Sequence, residues 1–93
     1  MTDLFDRLPP FVYVPCRVPA TDVETMQPLS RPLRAGGDGL LLYTALDRLR
    51  RVHGLERPWA VMPLPALTEL QQRLRFDAFL IDDGLPREER AHV

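Results

Sequence analysis

Lysine and asparagine are absent from this 93-residue chain, and there is a single cysteine, Cys16. One cysteine closes no intramolecular disulfide, which excludes the disulfide-stapled secreted scaffold and makes a reducing cytoplasm the expected home. Apolar runs last only a few residues, far short of the ~18 that span a bilayer. The first residues, Met1-Thr-Asp-Leu-Phe-Asp, lack the basic and apolar regions of a signal peptide. No sign of charge dominates either, since 12 basic residues, all arginine, face 13 acids for a formal net charge of −1. A dedicated nucleic-acid binder needs a basic footprint to displace phosphate counterions, so neither nucleic acid nor membrane is an expected partner. A GC-rich coding sequence, whose codons favour arginine, accounts for the missing lysine and asparagine better than a demand for guanidinium does.

What is present is 45% hydrophobic, which places the chain among globular proteins of about one domain. Ten prolines, about double the usual share of ~5%, divide it. Six fall between Pro9 and Pro32, none between Pro32 and Pro58, and none between Pro65 and Pro86. Proline breaks helix interiors and central strands, so the two free windows should hold helices and the first third edge-like extended chain. In the first window Thr44 and Asp47 have capping-box spacing, Ala45, Leu46, Leu49, Val52 and His53 form one stripe, and Gly54 supplies a C-terminal stop. In the second, Pro65 suits a first turn and Ala66, Leu67, Leu70 and Leu74 share a face. Strands are expected at 11–14 (FVYV), 40–43 (LLLY), 59–62 (WAVM) and 78–81 (AFLI), with an edge strand within 26–34. The reading is an α+β domain with an α/β-like core: a small mixed sheet of four to five strands, three of them roughly parallel, with two helices on one face. Residues 1–10 form an extension, 11–85 the domain and 86–93 a charged tail.

The candidate sites are sparse. Gly36-Gly37-Asp38-Gly39 precedes a strand rather than a helix, so it reads as a hairpin turn and not a phosphate loop. Asp82 and Asp83 follow the last strand, at the edge where parallel sheets take ligands, and read first as a solvated turn. Cys16 with His53 or His92 matches no metal-ligand spacing. Arg48, Arg50 and Arg51 make the densest cationic group, a solvated helix face or a surface for an acidic partner. Trp59 reads as a core aromatic or an interaction anchor. No catalytic, cofactor-binding or metal residue stands out; Arg48, Arg51, Trp59, Tyr13, Asp82 and Asp83 are the candidate interaction residues.

Three segments taken in order, Leu42-Tyr43-Thr44-Ala45-Leu46-Asp47-Arg48-Leu49, Arg57-Pro58-Trp59-Ala60-Val61 and Phe76-Asp77-Ala78-Phe79-Leu80-Ile81-Asp82, resemble the SseB amino-terminal domain family. The likeness is to short single-domain members in high-GC Gram-positive bacteria and covers about 11–82. It implies a small α+β fold and brings no catalytic residue, cofactor or substrate. The expected function is a non-catalytic cytoplasmic interaction module that homodimerises or docks on a larger protein, with 11–34 lending an edge for strand addition. The alternatives are a ligand sensor or minor enzyme at the carboxyl edge of the sheet, and an antitoxin-like or transcription-associated regulator acting by protein contact.

Overall fold

A computed structural model describes residues 8–20 and 22–86. It is an α+β globule of five strands and two helices, as the sequence implies. The order is β1 (Phe11–Pro15), β2 (Ser30–Pro32), β3 (Asp38–Leu42), α1 (Leu46–His53), β4 (Trp59–Pro63), α2 (Leu64–Leu74) and β5 (Ala78–Ile81). β1 and β4 form an antiparallel ribbon, while β3 pairs antiparallel with β2 and parallel with β5. Reciprocal backbone hydrogen bonds between Tyr13 and Tyr43, at 2.9 and 2.8 Å, and an antiparallel bridge from Cys16 to Pro28 join the two sheets.

These links put β1 between β4 and β3, antiparallel to both, so β3, β4 and β5 all run the same way. The expectation of three parallel strands holds for direction, but an antiparallel strand separates β3 from β4. The expectation that 11–34 offers a free edge holds for β2, the end strand of the β2–β3–β5 sheet, and is corrected for β1, which is paired on both sides. The free edge of the ribbon belongs to β4, which among the described residues has β1 as its sole strand neighbour.

The helices lie on opposite faces rather than one. Side chains alternate along a strand: Val12, Val14, Leu40, Leu42 and Met62 meet Leu67 and Leu70 of α2, whereas Leu41 and Tyr43 meet Leu49 of α1. The topology explains this. The β3-to-β4 crossover moves across the sheet in one direction and the β4-to-β5 crossover in the other, and crossovers of the same right hand then need opposite faces. Leu74, expected on the inner face of α2, is 38% exposed at the last turn.

Local chemistry sets the ends of the elements. Gly36 and Gly37 have φ of 103° and 82° and turn the β2–β3 hairpin, as their spacing implies, while Gly39 lies in β3. Gly54, at φ 91°, ends α1 with its N–H bonded to the Arg50 carbonyl. Thr44 does not cap α1: the N-cap is Ala45, without a side-chain bond, because the Thr44 hydroxyl is engaged elsewhere. Of the expected extension, residues 8–10 are described, and they belong to the domain: Leu8 is buried and the Pro10 carbonyl accepts the Leu64 N–H. Residues 1–7, the tail from 87 onward and His92 lie outside the described residues.

Candidate functional site

Two places collect the candidate residues. The first is the carboxyl end of β3 and β5, where both chains turn away from the sheet. Asp82 is fully buried, which corrects the expectation of a solvated turn, and it takes a left-handed φ of 54°. One carboxylate oxygen, Oδ1, accepts the Thr44 backbone N–H at 3.0 Å. The other, Oδ2, accepts the Thr44 hydroxyl at 2.9 Å and Arg48 Nη1 at 2.8 Å. Arg48 Nη1 also donates to Thr44 Oγ1 at 2.7 Å, which is the ordinary i, i+4 reach on a helix. The carboxylate therefore holds the entry to α1 from another strand, doing in space what Thr44 was expected to do locally, and a negative charge is favoured at that helix end.

Beside it, the Tyr43 hydroxyl donates to the Asp83 carbonyl at 2.7 Å. With its proton committed there, it accepts from His53 Nε2 at 3.0 Å, which fixes the neutral His53 tautomer as the one protonated on Nε2. The Asp83 carboxylate in turn pairs with Arg31 of β2. Burial, then the Asp83 and Asp82 charges, push the Tyr43 hydroxyl up to about 12, with Arg31 opposing. Burial, followed by the Arg57 charge, holds His53 below its ordinary value against the pull of Asp83. These bonds hold the carboxyl ends of β3 and β5 to the start of α1.

The second place is the outer face and free edge of the β1–β4 ribbon. Phe11 pairs with Pro63, Tyr13 with Val61 and Pro15 with Trp59, and all six project away from α2. Tyr13 packs against Tyr43 and Leu49 of the α1 side and Pro15 is fully buried, so the open part of this face is Phe11, Val61 and Trp59. Phe11 is 52%, Val61 51% and Trp59 36% exposed, so Trp59 is a surface aromatic and not a core one. It packs edge-on to Tyr13 with ring centroids 5.6 Å apart. Beneath the edge, Ala20, Val23 and Met26 of the β1–β2 connection and Ala66 of α2 border a cleft of about 340 Å³ along β4.

The structure thus joins Arg48 to Asp82 and Tyr13 to Trp59, and places Arg51 on the exposed side of α1. The sequence reading placed Thr44 with Asp82 and Asp83 at the carboxyl edge of the sheet, and missed His53 and Arg31 as members of the polar cluster. Thr44 and Arg48 at i, i+4 were the one local signal for it. Cys16 is buried, its thiol pushed up by burial, and its sulfur lies 3.5 Å from the Val14 carbonyl. Among the described residues no three His, Cys, Asp or Glu side chains come together as metal ligands, and no helix is long and apolar enough to cross a membrane. In comparisons with known proteins, the chain matches no family model, no curated protein and no solved structure.

Proposed function

We propose that this protein is a non-catalytic interaction module that pairs with a second copy of itself along the free edge of β4. The observation that carries the reading is the uncharged, exposed edge of that strand. Two backbone bonds identify which of its residues face β1: Cys16 N–H donates to the Pro58 carbonyl at 2.8 Å, and Leu64 N–H donates to the Pro10 carbonyl at 3.2 Å. Since backbone direction alternates in an antiparallel ladder, Ala60 and Met62 also bond inward, and Trp59 and Val61 aim their N–H and C=O groups outward.

An antiparallel pairing centred on Ala60 sets Trp59 of one copy opposite Val61 of the other, twice by symmetry. Each of those four residues then exchanges hydrogen bonds through groups that point outward in one copy alone, in a two-fold contact of the isologous kind. β4 carries no charged side chain to repel its copy, whereas β2 is blunted by Arg31 and Pro32. The resemblance of the three ordered segments to the SseB amino-terminal domains supports a module of this kind without a catalytic residue, and a buried lone thiol suits a cytoplasmic home.

Light scattering coupled to size-exclusion chromatography tests the reading across a range of concentrations. The expected result is a concentration-dependent dimer that Val61→Arg, which sets a guanidinium opposite each Trp59 and two like charges diagonal to one another on the same face, converts to a folded monomer. A chain that stays monomeric up to hundreds of micromolar, or a Val61→Arg variant with unchanged association, overturns it.

A further inference from the structure

At the end of the sheet opposite the Asp82 cluster, the segment leading into β2 and the carboxyl end of α2 enclose a cleft of about 310 Å³. Its floor is apolar, formed by the buried Met26, Leu40 and Phe76. Its rim carries Arg17, Arg73 and Arg75 against one acid, Asp38. In a chain whose acids outnumber its bases by one, this is a local reversal of charge. Arg73 is fixed across the cleft by donating to the Met26 carbonyl at 2.5 Å. The guanidiniums of Arg17 and Arg75 have no ion pair among the described residues. Arg75 also sits in the left-handed region, φ 53° and ψ 63°, at the C-cap of α2, a place that glycine fills without strain. The negative end of the α2 dipole accounts for cations at 73 and 75. It does not account for Arg17, which arrives from the other wall.

We infer that this cleft binds a small organic anion: a carboxylate or phosphate monoester carried on an apolar body. The three guanidiniums meet the anionic head with charge-assisted hydrogen bonds, and the Met26, Leu40 and Phe76 floor takes the body. The volume is at the lower end of the range for small-molecule clefts. The inference is independent of the β4 pairing and stands or falls without it.

The test is a titration of the full chain, at low salt, followed through backbone amide resonances. The probes are phenyl phosphate, benzoate, inorganic phosphate and benzyl alcohol. Phenyl phosphate or benzoate is expected to shift the Gln27, Ser30 and Arg75 amides saturably, at least about tenfold more tightly than inorganic phosphate, while benzyl alcohol shifts none. Whichever of the two aromatic anions binds more tightly names the head group. Arg17→Ala should weaken binding about tenfold, the scale of one charge-assisted contact. Asp38→Asn should strengthen it severalfold, because it removes the charge of the one acid in the cleft lining and keeps the Asp38 backbone N–H that bonds Asp77. A gain of affinity cannot arise from a misfolded variant. The inference is overturned if neither aromatic anion shifts these amides, if inorganic phosphate binds as tightly as both, or if Arg17→Ala and Asp38→Asn leave the affinity unchanged.

Discussion

Tyr43 shows how one side chain ties three elements together and gives the fold a limit at high pH. Its backbone pairs β3 to β1, its ring packs on Leu49 of α1 and edge-on to His53, and its hydroxyl closes the turn after β5. A phenol held at about 12 in the folded chain, against its ordinary 10, keeps its proton where the unfolded chain loses it. Its contribution is therefore intact below pH 10 and is lost as the pH rises from 10 to 12. Urea unfolding followed over that interval should show stability falling while Tyr43 of the folded chain is still protonated, its phenolate absorbance near 295 nm appearing only toward pH 12. Tyr43→Phe should flatten the fall and cost about 1 kcal/mol at neutral pH, since the Asp83 carbonyl loses its donor. An unaltered alkaline profile in that variant would assign the effect to another group.

Among the elements, the β2–β3 hairpin makes the sharpest claim on its sequence. Gly36 and Gly37 both have positive φ, but their surroundings differ. A Cβ on Gly36 would meet open space, whereas on Gly37 it would lie 2.7 Å from Asp77 Cγ, in the carboxylate that accepts the Asp38 N–H at 3.0 Å. Gly36→Ala should cost about 1 kcal/mol through backbone strain alone, and Gly37→Ala at least about 2 kcal/mol through strain plus a broken hydrogen bond. Chemical denaturation of the two variants checks the order; equal costs would remove Asp77 from the account. This turn was legible because its signal is local. So was the stripe of α1 that buries Leu49, and so were the four apolar runs that became β1, β3, β4 and β5. The Asp82 cluster was not, because a capping pattern at Thr44 looks the same whether its hydroxyl turns to its own helix or to a carboxylate 38 residues later. The central place of β1 was hidden for a related reason. Pro10 and Pro15 bracket that strand without removing a donor it needs: Pro15 contributes its carbonyl to Leu29, and Pro10 its carbonyl to Leu64. Counting prolines suggested an edge, while their positions in the ladder permit an interior strand.

For the whole molecule, association and stability are coupled if β4 pairs as proposed. A partner that binds only the folded chain raises the melting temperature with concentration. Thermal unfolding measured over a hundredfold range of protein should shift upward by several degrees for the unaltered chain and stay level for Val61→Arg. A level midpoint for both would count against the pairing without touching the anion cleft. The order of the sheet has a consequence for how the protein is made. The strand that joins the two sheets precedes the other described strands in the chain, yet Tyr43 comes 30 residues after Tyr13, and Pro63 comes 52 residues after its partner Phe11. Until Tyr43 emerges the Phe-Val-Tyr-Val stretch has neither neighbour, and until β4 emerges it lacks one of the two, so its two valines, which end fully buried, are not yet covered. Closing such distant pairs is slow compared with forming a helix. A nascent chain therefore passes through a stage in which its most adhesive segment waits for the rest, and a chain truncated before β4 should aggregate rather than fold.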